Sequence, residues 1–246
     1  MPDISLILTY YNESLILKQS IRKIDEFLSM TKLNVELIFI DDNSNDESPQ
    51  ILNSLKGSVL NKHNCQFIRN ITKNGRGACV DQGFKLAKSD IVGFIDTDLD
   101  IPIHYVLPAY IEFKNNNLDV LIGRRSFLFR FSKFIRILMT QTYSLIIRKY
   151  LNFPYQQTEA GFKFFRKDVY LTLSKHIVEK HWSWDTEVMM LSNYYNLRVY
   201  EMPITVIHQD LRPTNVEFFK DTVNSLKNSA KIKKRINNIR KNDTGN

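Results

Sequence analysis

In the stretch DIVGFIDTDLDIP, residues 90–102, an apolar run from Ile91 to Ile95 ends in three carboxylates at alternate positions: Asp96, Asp98 and Asp100. Side chains two apart on an extended segment point the same way, so the spacing predicts Asp96 and Asp98 on one side of a strand end. Hard oxygen ligands so placed suit Mg²⁺ or Mn²⁺, which keep part of their water and bind substrate phosphates. Such a cation would offset the repulsion among the three acids. Asp41 and Asp42 close a second apolar run, LIFI, although Asn43, Ser44 and Asp46 beyond them also suit a turn into a capped helix. KNGRGA (73–78) offers two glycines and Arg76 ahead of a helix, a way to present backbone N–H groups and a cation to a phosphate. It has neither P-loop nor dinucleotide-fold spacing. Asp185 and Glu187 lie two apart near a predicted helix start, and either could face a cleft as a general base.

The elements that must position these groups follow from the hydrophobic pattern. ISLIL (4–8), VELIFI (35–40), CQFI (65–68), IVGFI (91–95) and DVLIG (119–123) are continuous strand-like runs, the first four each followed by a helix-like segment. Runs of that kind are parallel strands covered on both faces. They predict an open α/β sheet, in which ligands bind at the carboxyl ends of the strands, so the acidic clusters would converge on one cleft. Residues 127–151 carry apolar groups at helical spacing with Arg130, Lys133, Arg136, Arg148 and Lys149 interspersed. That helix either lies on a bilayer or packs on the core with a basic edge. A helix near 184–196, a strand over 198–207 and a basic amphipathic helix over about 216–240 complete the chain. Trp182 and Trp184 flank a helix start and either line a pocket or fill the core. His104 and His208 have no partners at metal spacing and read as surface or packing residues.

At 246 residues the chain suits one large domain with a small appendage, divided at 1–215 and 216–246. An apolar fraction of 43% excludes wholesale disorder. The net charge of +8 is concentrated at one end: between Lys220 and Lys241 stand eight Lys/Arg and one acid, and the rest is close to neutral. Such a segment suits an anionic membrane surface or nucleic acid, or is a solvated tail. Cys65 and Cys79 form no disulfide or metal spacing, which fits a reducing compartment. No secretory signal and no uncharged apolar run of spanning length is expected.

Eight segments in order resemble one family. ILTYYNES, FIDDNSND, NGRGACVDQGFKLAKSD, FIDTDLDIP, DVLIGRR, TEAGFKFFRKD, WSWDTEVMM and RVYEMPI are similar to the motifs of family 2 glycosyltransferases of the GT-A fold, particularly dolichyl- or polyprenyl-phosphate sugar synthases. The resemblance implies a Rossmann-like, mostly parallel sheet flanked by helices. It implies Thr9, Tyr11 and Asp42 on the nucleotide base and ribose, with Glu13 and Arg76 in support. Asp96 and Asp98, with Asp100 in third place, would hold Mg²⁺ or Mn²⁺ on the donor's diphosphate. Arg125, Arg136, Thr140, Lys163 and Arg212 would meet the acceptor, and Asp98, Asp185 and Glu187 would serve catalysis. Thr9 replaces a usual Pro, Gln157 a usual Asp, and Arg212, Thr214 and Asn215 only approximate the closing Arg-x-x-x-Ser-Lys.

The implied reaction is an inverting transfer of one sugar from a nucleotide sugar to a polyprenyl phosphate, on the cytoplasmic face of a membrane. The alternative acceptor is a glycan hydroxyl, which would need a carboxylate base. A non-catalytic nucleic-acid-binding protein is the reading from another class. The confinement of positive charge to one end and the absence of RNP, zinc or helix-turn-helix signatures speak against nucleic acid as a partner. Oligomeric state has no sequence signal.

Overall fold

The computed structural model describes residues 1–126, 149, 154–155, 158–207 and 227–239. The chain opens with β1 (Ile4–Tyr10), α1 (Ser14–Met30), β2 (Val35–Asp41), α2 (Ser48–Lys56), β3 (Asn64–Arg69), α3 (Arg76–Leu86) and β4 (Ile91–Asp96). There follow α4 (Val106–Asn115), β5 (Val120–Ser126), β6 (Phe162–Arg166), α5 (Lys167–Ser174), α6 (Ser183–Tyr194) and β7 (Val199–Thr205). Residues 227–239 form a helix, α7.

The strands make one seven-stranded sheet in the order β3-β2-β1-β4-β6-β5-β7. β1 pairs parallel with β2 and β4, β2 with β3, and β5 with β7, while β6 runs antiparallel between β4 and β5. Both faces are covered, so β2 is buried at all seven residues and β1 at six. Alternate residues feed opposite layers. Leu6, Leu8, Leu37 and Phe39 join α1, α2 and α4 on one face, and Ile7, Ile38 and Ile40 join α3, α5 and α6 on the other. Ile232 and Ile236 of α7 complete that second layer.

β6 and α5 were not foreseen: the segment entered only as the motif TEAGFKFFRKD, with Lys163 expected on the acceptor. In the sheet Phe162, Phe164 and Phe165 are fully buried, and so is Lys163. The sheet is therefore mostly parallel with one reversed strand. Of the predicted segment 127–151 all but residue 149 lies outside the described residues, and of the C-terminal segment 216–246 only residues 227–239 are described. No described helix is long and apolar enough to cross a membrane.

Candidate functional site

The sheet reverses its winding between β1 and β4, whose carboxyl ends meet at the register pair Thr9 and Asp96. Open α/β sheets bind ligands at such a switch point. A cleft of about 320 Å³ opens there, and its lining includes Thr9, Tyr11, Glu13, Asp42, Arg76, Asp96 and Asp98. A larger hollow of about 640 Å³ lies at the amino edge of the sheet, lined by Asp3, Asp90, Tyr110 and Arg166 among others. It holds none of the residues expected to do chemistry.

The extended alternation predicted for Asp96 and Asp98 is not how they meet. β4 ends at Asp96, and residues 97–98 form a turn closed by Leu99 N–H donating to the Asp96 carbonyl at 3.1 Å. Leu99 adopts a positive φ of 52°, a conformation costly for a branched side chain. Asp100 N–H then caps Asp98 Oδ1 at 3.1 Å. The turn leaves Asp98 half-buried, and that desolvation, followed by the nearby charge of Asp96, pushes its carboxyl up to about 7.

Asp42 is buried at the end of β2, where its two oxygens accept the N–H groups of Asn74 (2.7 Å) and Gly75 (2.9 Å). These amides, which the sequence of KNGRGA offers to a phosphate, are spent on holding the loop to Asp42. Arg76 is also turned inward. Its Nε and Nη2 donate to Asp96 at 3.0 and 3.3 Å and its Nη1 to Asp185 Oδ2 at 2.5 Å, while its guanidinium lies 4.7 Å from the ring centres of both Phe94 and Trp182. Lys163 Nζ donates to the other oxygen of Asp185 and to the Ala160 carbonyl. Burial lowers the Lys163 pKa against the pull of Asp185.

Glu187 lies apart from this network. Its Oε2 accepts the N–H groups of Val178 (2.8 Å) and Glu179 (2.7 Å), and its Oε1 accepts Arg235 Nη2 at 2.7 Å. Of the two carboxylates on α6, only Asp185 is directed to the cleft side. Glu13 caps α1 with its carbonyl, and its N–H donates to Ser48 Oγ at 2.8 Å. Arg125, on β5, donates to the Glu159 carbonyl at 3.1 Å. Arg136, Thr140, Arg212 and His208 lie outside the described residues.

Sequence reasoning missed several cleft residues. Lys73 sits 3.4 Å over the Tyr11 ring, and His181, Thr97 and Cys79 also line the cleft. Trp182 is on the cleft and Trp184 is in the core, so the two readings given to the pair divide between them. His104 is exposed.

Among the described residues no three His, Cys, Asp or Glu side chains form a ready-made metal cage. The donor set still fits Mg²⁺ or Mn²⁺ in the open manner such ions use, with one or two carboxylates and the rest from substrate oxygens and water. Asp98 and Asp96 would be those carboxylates.

The strand order, the cleft at its switch point and the paired aspartates define an α/β protein of the GT-A class. The sequence pattern of glycosyl transferase family 2 matches residues 5–182, and the chain belongs to that family. The glycosyltransferase AglD of Haloferax volcanii is 24% identical over 82% of this chain and 32% of its own length. A dolichol-phosphate mannosyltransferase of Pyrococcus furiosus is 33% identical over 50% of this chain and 33% of its own. The chain thus spans about a third of these two relatives. A dolichyl-phosphate beta-glucosyltransferase of Dictyostelium discoideum is 20% identical over 94% of this chain and 73% of its own. Among solved structures, glucosyl-3-phosphoglycerate synthase of Mycobacterium tuberculosis with Mn²⁺, UDP-glucose and glycerol 3-phosphate shares the fold. It has a TM-score of 0.65 and 15% identity over 94% of this chain and 80% of that one.

Proposed function

We propose that this chain transfers a single sugar, with inversion, from a UDP- or GDP-sugar to a polyprenyl or dolichyl phosphate. The reaction would depend on Mg²⁺ or Mn²⁺ and take place at the cytoplasmic face of a membrane. The relatives named for dolichol phosphate support the acceptor, and the Mn²⁺-bound neighbour supports the metal.

The observation that carries the choice of acceptor is the state of Asp185. It is 1% exposed, and each of its oxygens is bound to a cation, Lys163 on one side and Arg76 on the other. A carboxylate so held is poorly placed to take a proton from an incoming hydroxyl. A phosphate acceptor brings an oxygen that is already anionic, so the chain need only supply cations to hold it, with Arg125 at the end of β5 a candidate. Thr9, Tyr11 and Asp42 would receive the nucleoside, and Asp96 and Asp98 the metal. When bound, that ion supplies electrostatic stabilisation to the departing diphosphate. Arg76 would keep Asp96 oriented toward it.

The test uses purified protein, labelled UDP- and GDP-sugars, Mn²⁺ or Mg²⁺, and polyprenyl phosphate dispersed in detergent. Metal-dependent label in the organic phase, lost in Asp98→Ala, is the expected result. Label that enters only an oligosaccharide, and is abolished by Asp185→Asn, would overturn the lipid-phosphate reading in favour of a glycan hydroxyl.

A further inference from the structure

Two loops meet at the mouth of the cleft, and both are built in the same way. The loop at residues 70–75 is held from behind by Asp42, which takes the N–H groups of Asn74 and Gly75. The loop at residues 178–182 is held from behind by Glu187, which takes the N–H groups of Val178 and Glu179. They touch so closely that a Cβ on Gly75 would stand 2.6 Å from the Lys180 carbonyl, whose oxygen also accepts Ala78 N–H at 3.0 Å. With their backbones pinned by buried carboxylates, the loops turn apolar side chains outward. Ile71 is 93% exposed, Trp182 71% and Val178 58%. Lys73 and Lys180 are exposed beside them, whereas the Glu179 carboxylate is turned to Arg235 at 2.7 Å.

We infer that this rim is a membrane-docking face that seats on an anionic lipid bilayer, with Ile71, Val178 and Trp182 in the interfacial layer and Lys73 and Lys180 at the level of the headgroups. Tryptophan favours that layer because one edge of its ring is apolar and the other polar, and lysine places its stem in the apolar zone and its ammonium among the phosphates. Each lysine near an anionic surface adds to the attraction. The face uses none of the side chains of the basic segments at 127–151 and 216–246, and it would open the cleft directly onto the headgroups. The inference rests on the lipid-phosphate reading for its purpose. Transfer to detergent-dispersed acceptor needs no bilayer, so that reading stands or falls separately.

The test follows the fluorescence of the full chain, which has two tryptophans, one of them the buried Trp184. Vesicles of phosphatidylcholine with phosphatidylglycerol should shift the Trp182 emission to the blue, and lipids brominated on the acyl chain should quench it. Both changes should be absent in Trp182→Phe. The pair Ile71→Ser with Val178→Ser should lower partitioning about tenfold, since two apolar side chains no longer leave water. Neither residue lines the cleft, so nucleotide binding serves as the folding control. Sedimentation with anionic vesicles without any change in Trp182 emission would place the membrane contact elsewhere and overturn the inference. Absence of sedimentation would overturn it as well. An equal response to pure phosphatidylcholine would overturn the role given to Lys73 and Lys180.

Discussion

Gly161 and Asp96 face one another across the β4–β6 pair, and a Cβ on Gly161 would stand 1.7 Å from Asp96 Oδ2. The same glycine accepts Asp96 N–H at 3.1 Å, so backbone and side chain of the aspartate are both set by it. Gly161→Ala should therefore move the carboxylate while leaving the buried strands in place. A displacement of that order at a catalytic centre costs about 100-fold in rate. We expect such a loss in sugar transfer together with weakened Mn²⁺ binding, read by electron paramagnetic resonance, in a protein whose circular dichroism is unchanged. Full Mn²⁺ affinity in this variant would show that Asp96 does not need its present position.

Much of this arrangement was legible because chemistry and burial change abruptly at particular residues. Ile95 to Asp96 and Ile40 to Asp41 are steps from an apolar run to an acid, and such steps mark the carboxyl ends of parallel strands. What was hidden depends on contacts between distant segments. Lys163 is interpretable only beside Asp185, 22 positions away, and Glu187 only beside Arg235. Trp182 and Trp184 have the same type and neighbouring positions, yet one precedes the first turn of α6 and the other lies within it. The turn at Asp96–Leu99 broke the expected alternation because the strand stops at the first aspartate. β6 carries a lysine whose charge is matched inside the protein rather than by water.

Asp96, Arg76, Asp185 and Lys163 form a partly to fully buried row of two carboxylates and two cations. Breaking a buried pair by removing one member costs about 3–5 kcal/mol, because an unmatched charge is left out of water. Lys163→Met should show a loss of that size in urea unfolding. Lys163→Met combined with Asp185→Leu should lose less than the two single variants added together. Simple additivity would mean that the two groups do not act as a pair.

Asp46 holds the loop that follows Asp42. It accepts Ser14 N–H at 3.0 Å and Ser48 N–H at 2.9 Å, joining the starts of α1 and α2. Burial opposes its charge, but hydrogen bonds from Ser48 and Ser14 outweigh that and lower its carboxyl to about 2. A depressed carboxylate contributes stability that is complete above the unfolded value near 4 and is lost as pH falls toward 2. Asp46→Asn should accordingly be less stable than the parent by about 1 kcal/mol at neutral pH. The gap should narrow between about pH 4 and pH 2. Urea midpoints measured across that range decide it, and a gap independent of pH would exclude ionisation of Asp46 as its source.

Arg235 reaches the cleft only through other residues. It bonds Glu179 and Glu187 at 2.7 Å each, and Glu187 in turn holds the two amides that begin the loop bearing His181 and Trp182. Asn228 Nδ2 donates to Ser183 Oγ at 3.0 Å, so α7 braces both sides of that loop. Without the guanidinium, Glu187 would keep a buried carboxylate with one oxygen stripped of its cation. Arg235→Ala should speed hydrogen exchange at Val178 and Glu179 by about tenfold or more, which is roughly the loss of one charge-assisted bond. The amides of β1 and β4 should be unaffected. Because His181 and Trp182 line the cleft, the KM for the nucleotide sugar should rise more than kcat falls. Arg235→Lys should restore part of the effect, since one ammonium cannot grip both carboxylates as a planar guanidinium does. Unchanged exchange at 178–179 in Arg235→Ala would sever the link between α7 and the cleft.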